Sequence, residues 1–478
     1  MGAVVDDPPV RRPQSRGVTS VSEPTFLRFP DGFRWGAATS AYQIEGAASE
    51  DGRTPSIWDV FSHRPGTTVD GTTGDTACDH YRLHRQDVAL MADLGLQAYR
   101  FSLSWARLQP GGSGPANPKA LDFYRRLLDD LHENGIQPIA TLYHWDLPQA
   151  LEDRGGWRAR DTAWRFADYA RLVGERLGDL IDTFITVNEP WCAAFLGYAS
   201  GLHAPGVQDP PGALRAAHHL LLGHGLAARA LRAQGRHREI GLAPNFYPVR
   251  AVSDHPADQD AAQRIDLLMN RLLLEPVVTG AYPADVLAHI EPIAGLGHIR
   301  EGDEAVIGTP IDFLGVNYYS SHTVGAGTVD HRPSPWVGAE DVVFHPSGLR
   351  TTAMGWDVDP DGLRRQLERI AAARPDLPIW ITENGAAYPD VPDDNGRVHD
   401  PDRIEFLRDH LAALHDAVQS GVNVRGYLLW SLMDNFEWSE GHTKRFGLVH
   451  VDFATQRRTP RSSAHWYGEV IRNNGLKR

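Results

Sequence analysis

The chain has 478 residues, 42% hydrophobic and 23% charged, the balance of a globular protein whose core needs no covalent staples. A formal net charge of −14 argues against nucleic-acid binding, and no apolar run reaches the roughly 18 residues of a membrane span. Two cysteines, Cys78 and Cys192, are too few for a disulfide framework and favour a reducing, cytoplasmic compartment.

Residues 1–24 read as a disordered arm rich in Pro, Arg, Asp and Ser, without the apolar stretch of a secretory signal. Residues 25–478 read as one domain. Eight strand-like runs lie along it. They are FRWGAATSA (33–41), AYRFSLSW (98–105), QPIATLYHW (137–145), TFITVNEP (183–190), EIGLAPNF (239–246), IDFLGVNYY (311–319), PIWITENG (378–385) and RGYLLWSLMD (425–434). Helical periodicity fills most of the gaps. DHYRLHRQDVALMADLG precedes the second run, ALDFYRRLLDDLHENG the third, TAWRFADYARLVGERLG the fourth and ALRAAHHLLLGHGLAARALRAQG the fifth. DGLRRQLERIAAARP precedes the seventh and DRIEFLRDHLAALHDAVQSG the eighth; several end in Gly, the usual residue after a helix. Apolar strands alternating with helices indicate a parallel sheet covered on both faces. Eight such units predict an α/β fold, a single (β/α)8 TIM barrel. Polar loops such as QPGGSGPAN (109–117) and YPDVPDDNGRVHD (388–400) are expected to frame its mouth.

In such a barrel, function collects at the C-terminal ends of the strands. Those ends carry Gln43, Arg100, His144, Trp145, Asn188, Glu189, Asn317, Tyr319, Glu383 and Trp430. A purely structural barrel has no need of so polar and titratable a set. Glu189 and Glu383 each close a β-branched run, precede a turn and sit beside an asparagine, Asn188 or Asn384. Two carboxyl groups from separate strands suit acetal hydrolysis at a sugar. One gives a proton to the leaving oxygen while the other attacks or supports the anomeric carbon.

Longer stretches carry a resemblance. FRWGAATSAYQIEG, AYRFSLSWARLQP, TLYHWDLPQAL, TVNEPWC, GVNYY, ITENGA and WSLMDNFEWSEGHTKRFGLVHVD together resemble family 1 glycoside hydrolases, the retaining β-glucosidases of clan A, from about Phe26 to Tyr467. The resemblance implies a double displacement with Glu189 as acid/base and Glu383 as nucleophile, the latter supported by Arg100 and Tyr319. Gln43, His144, Asn188, Glu437 and Trp438 match the family's hydrogen-bonding set for the sugar, with Trp145, Asn317 and Tyr319 beside them. Trp430 and Phe446 match apolar walls, Trp191 and Trp356 flank the aglycone, and a cis peptide is implied between Trp430 and Ser431. Asp359 stands where many relatives carry an aromatic and is expected to alter packing at the entrance. Cys192 and His203 read as packing residues near that entrance.

The implied substrates are small β-D-glucosides: cellobiose, short cello-oligosaccharides and aryl or alkyl glucosides, with β-galactoside, β-fucoside and transglycosylation side activities open. Glu437–Trp438 stands where 6-phosphosugar enzymes carry a phosphate-binding pattern, and a carboxylate there repels phosphate. Glu189 separates the chain from plant thioglucosidases, and with Glu383 it counts against the rival reading, a catalytically silent sugar-binding barrel. No cofactor or metal is expected. Cys78, His80 and His84 lack a second ligand pair, His218, His219 and His224 read as packing or surface residues, and GGSG (111–114) lacks the context of a phosphate loop. The acidic surface is compatible with a monomer or a homo-oligomer.

Overall fold

The computed structural model describes residues 1–2, 26–236 and 238–478. Apart from its first two residues, the arm expected over 1–24 lies outside them. All eight strand-like runs are strands: β1 Arg34–Ala38, β2 Ala98–Ser102, β3 Gln137–Tyr143, β4 Thr183–Asn188, β5 Glu239–Ala243, β6 Phe313–Asn317, β7 Ile379–Glu383 and β8 Val424–Trp430. They form a closed parallel barrel in sequence order, with β8 pairing β1 to complete the ring. Several runs outlast their strands. Gln43 sits on a short helix, Ala41–Ile44, and His144, Trp145 and Glu189 lie just past β3 and β4.

Side chains alternate between two apolar layers. Ala38, Ala98, Ile139, Ile185, Ala243, Phe313, Trp380 and Leu428 pack inside the barrel. The intervening positions pack outward against helices, so neither face of a strand meets water, which is why these strands read as unbroken apolar runs. Gly36 is required inside: a Cβ there would collide with the Ala98 carbonyl.

The helices have legible starts and stops. Helix α1 (His80–Leu94) ends at Gly95, whose φ of 81° is the left-handed closing conformation. Helix α2 (Pro118–Glu133) begins under Asn117, whose side chain accepts from Lys119 N–H, with Pro118 in the first turn. Helix α3 (Asp161–Arg176) packs on α4 (Pro210–Arg232). Between β5 and β6 stand α5 (Pro256–Asp266), α6 (Leu272–Thr279) and α7 (Ala284–Ala294), which the sequence reading left out. Pro276 and Pro292 lie inside the last two and disguise them, because proline normally ends a helix. Helix α8 (Pro360–Ala373) follows β6, and α9 (Pro401–Gln419) follows β7.

Asp359 is the cap of α8, not an entrance residue: its Oδ1 accepts Gly362 N–H at 2.9 Å and its Oδ2 accepts from Ser321. The histidines of α4 are core residues. His218 meets Asp303 and Tyr282, His219 the Trp157 carbonyl and His224 the Thr186 hydroxyl, and burial lowers each to about 4. His80 and His84 are engaged by Asp87 and Asp130, at 2.8 and 3.0 Å. Among the described residues, no helix is long and apolar enough to cross a membrane.

Candidate active site

Two β-bulges aim the acidic side chains. Strict alternation from the inward Trp380 would place Thr382 inside and Glu383 outside. The pairing of β7 with β6 slips one residue between Ile381 and Glu383, which brings Glu383 to the barrel mouth. An equivalent slip between Ile185 and Asn188, where β4 pairs β5, turns Asn188 inward. Glu189 follows at a φ of 43°, its N–H held by the Ala243 carbonyl at 2.8 Å. A left-handed non-glycine residue here is a distortion kept in place by its surroundings, as functional sites often require.

The two carboxyl groups face unequal surroundings. Glu383 Oε1 accepts from Arg100 at 2.6 Å and Oε2 from the Tyr319 hydroxyl at 2.7 Å. Burial raises its pKa, and the Arg100 charge, Tyr319 and Asn317 oppose that rise. Among the described residues, Glu189 receives no charged donor. Asn317 Nδ2 donates to its Oε1 at 2.8 Å. Burial, reinforced by the Glu383 charge, pushes Glu189 up to about 8. A proton shared by the pair therefore rests on Glu189 and leaves Glu383 ionised.

A buried hydrogen-bond chain fixes this asymmetry. Besides Glu383, the Arg100 guanidinium donates to Thr141, to the Thr382 carbonyl and, at 2.5 Å, to Asn188 Oδ1. Asn188 Oδ1 also accepts from Asn317 at 3.0 Å, and Asn188 Nδ2 donates to His144 Nε2 at 3.0 Å. Asn317 Oδ1 accepts from the Thr382 hydroxyl at 2.7 Å. Burial holds His144 well below its usual value, so it is neutral.

These groups surround a cavity of about 340 Å³, lined by His144, Trp145, Glu189, Glu383, Trp430 and Trp438. Tyr319, Glu437 and Phe446 line it too, as do Trp191 and Trp356. Gln43, Arg100, Asn188 and Asn317 stand one layer behind the wall. The Gln43 amide is already committed to Asn435, Phe436 and Glu437. Glu437 is pushed up to about 8, by lost hydration and then by Glu383 and Glu189. Among the described residues, no Lys or Arg lines the cavity. The Trp430–Ser431 peptide is cis. Gly385 lies so close to the Trp430 carbonyl that a Cβ would collide with it.

An aromatic-walled cavity in which one carboxyl group meets a cation and a phenol, and a second meets a neutral amide, is equipped for glycoside cleavage. The family model "Glycosyl hydrolase family 1" matches residues 26–476. The chain belongs to glycosyl hydrolase family 1. Relatives within the family include thermostable beta-glucosidase B of Thermobispora bispora, 52% identical over 94% of this chain and 92% of the relative. A bifunctional beta-D-glucosidase/beta-D-fucosidase of Bifidobacterium breve is 46% identical over 94% of this chain and 99% of the relative. Among solved structures, the family 1 β-glucosidase of Thermotoga maritima in complex with isofagomine lactam superposes with a TM-score of 0.90, at 43% identity, over 95% of this chain and 100% of that one.

Part of the wall of this family 1 site was not foreseen. Asn245, Tyr247, Met269, His322, Trp336 and Met354 also line it. Trp336 comes from an irregular segment without periodicity and packs against Trp191, ring centres 4.8 Å apart. The two polar loops expected at the mouth contribute no lining residue.

Proposed function

We propose that the chain is a retaining β-D-glucosidase, acting on the non-reducing ends of cellobiose, short cello-oligosaccharides and aryl or alkyl β-glucosides. The observation that carries this reading is the unequal hold on the two carboxyl groups: Glu383 is gripped by a cation and a phenol, Glu189 by the neutral Asn317 amide. In the first step Glu383 bonds to the anomeric carbon as the glycosidic C–O bond breaks, and Glu189 gives its proton to the leaving oxygen. Glu383 then carries no charge, so the main electrostatic cause of the raised Glu189 pKa disappears. Glu189 next takes a proton from water, whose oxygen bonds to the anomeric carbon as the Glu383 ester bond breaks.

His144, Trp145, Glu437 and Trp438 would meet the sugar hydroxyls directly, with Trp430 and Phe446 against its apolar faces. Gln43, Asn188 and Asn317 would act from behind them. A wall with no Lys or Arg among the described residues supports a neutral sugar over a 6-phosphosugar. The Bifidobacterium breve relative supports a β-fucosidase side activity, and an alcohol or sugar replacing water in the second step would give transglycosylation. The setting we propose is cytoplasmic breakdown of cellulose fragments.

The test is release of p-nitrophenol from its β-glucoside, with the sugar product followed by proton NMR. β-Glucose is expected first. α-Glucose first would overturn the covalent mechanism, and no release would remove the glucosidase reading.

A further inference from the structure

Resting on the glucosidase reading, we propose that Trp336, Phe344 and His322 form an outer subsite for the second aromatic ring of an extended aryl β-glucoside. A row of packed rings leads to it from the catalytic pair.

The row begins beside the acid/base. Trp191 follows Glu189 by two residues, and an acid that protonates the leaving oxygen has the leaving group on its own side. Trp191 packs on Trp336, and Trp336 packs on Phe344, ring centres 5.1 Å apart and planes 33° apart. Exposure rises along the row: Trp191 is 5% exposed, Trp336 half-buried and Phe344 38% exposed. Trp191 and Trp336 both line the cavity, so the row runs without a break from the place of bond cleavage to the open surface. A lone exposed phenylalanine would need no explanation; one that ends such a row extends an apolar wall already in use.

The wall is held in place before any ligand arrives. Val249–Ala251, His322–Gly325 and Val343–His345 form a three-stranded sheet outside the barrel. Its antiparallel pairing sets Phe344 opposite Val324, two residues from His322. The Phe344 and His322 rings therefore share a face, and they meet edge to face at 5.1 Å. Trp336 also meets His322 edge to face, at 5.8 Å, and Tyr247 stacks on His322 at 4.7 Å with planes 6° apart. Asn270 clamps the Tyr247 backbone, accepting its N–H at 3.3 Å and donating to its carbonyl at 2.9 Å. Around Trp336, Ser334 Oγ accepts the Trp336 N–H at 3.1 Å and His289 Nε2 donates to the Val337 carbonyl at 2.8 Å. A wall ordered in this way costs little further ordering when a ligand binds.

Its chemistry selects the occupant. A second glucose carries hydroxyls around its rim, each wanting a donor or an acceptor. Of the three rings, only the Trp336 indole and the His322 imidazole carry a polar atom, and burial lowers His322 to about 4, so it is neutral. Met269, Pro335 and Met354 add further apolar lining to the cavity. Two polar rings suffice for the single hydroxyl of a phenol and are too few for a sugar rim. A flat apolar ring gains most from such a wall, through area removed from water and through ring packing.

The test compares kcat/KM for biphenyl-4-yl β-glucoside and phenyl β-glucoside. Their phenols leave with similar ease, so the ratio isolates the outer ring, and it does not depend on how much of a preparation is folded. In the wild type the biphenylyl substrate should be better by about tenfold or more. Trp336→Ala and Phe344→Ala should each lower that ratio severalfold and leave the ratio for cellotriose against cellobiose where it was. A wild-type ratio near one, or a ratio that neither variant moves, would overturn the proposal. A fall in the cellotriose ratio in place of the aryl ratio would also overturn it, by assigning the wall to a sugar. If an alanine variant does not fold, Phe344→Leu, which removes the ring and keeps an apolar side chain, decides in the same way. Failure of the wild type to cleave either aryl glucoside is a separate outcome and removes the glucosidase reading itself.

Discussion

Arg100 holds Glu383 from across the barrel, its guanidinium nitrogen 2.6 Å from Oε1, with both residues almost wholly out of water. In so dry a place, a carboxylate persists only beside such a partner. Arg100→Met should therefore raise the Glu383 pKa and move the acid limb of kcat/KM to higher pH. The rate at the optimum should fall about 100-fold or more. An unmoved acid limb would mean that Arg100 serves packing alone.

Glu189→Gln keeps the shape of the wall and removes the proton. Its effect should follow the leaving group: a loss of about 100- to 10,000-fold with cellobiose, and far less with an activated aryl glucoside that departs unaided. Equal losses with both substrates would refute the proton-donor role. Glu383→Gln should be folded and inactive with either.

Trp191, which we propose flanks the aglycone, lines the cavity against Trp336 and takes no part in the hydrogen-bond chain around the carboxyl groups. Trp191→Ala should raise KM for aryl glucosides severalfold. The rate at which water clears the glycosyl-enzyme, measured with a substrate for which that step limits kcat, should hardly change.

Asp146 makes a prediction about stability. It is 1% exposed, neither carboxyl oxygen has a hydrogen-bond partner among the described residues, and burial raises it to about 7. Between its unfolded pKa of roughly 4 and its folded one, the native state keeps a proton that the unfolded chain has released. That contribution is complete below the lower value and is lost as pH rises through the higher. Asp146→Asn should match the wild type in melting temperature at or below about pH 4 and exceed it increasingly up to about pH 7 to 8. A constant difference across that range would contradict it.

The barrel was legible because its strands are buried on both faces, which leaves unbroken apolar runs such as TFITV and PIWIT. Glu189 and Glu383 were legible because each ends such a run. What escaped was set by tertiary geometry. The bulges before Asn188 and Glu383 leave no mark in composition, and the prolines in α6 and α7 imitate helix ends. Asp359 looked like an altered entrance residue until its carboxylate was seen capping α8. Trp336 reaches the cavity from a segment with no period to read.

The hydrogen-bond chain from Glu189 through Asn317, Asn188 and Arg100 to Glu383 draws one residue each from β2, β6 and β7 and two from the end of β4. No half of the polypeptide holds both carboxyl groups together with the groups that make them unequal. Catalytic competence is thus a property of the finished ring. During refolding, turnover should return with the last strand pairing, after the helical signal has recovered, and neither half-barrel alone should hydrolyse a glucoside until its complement is added.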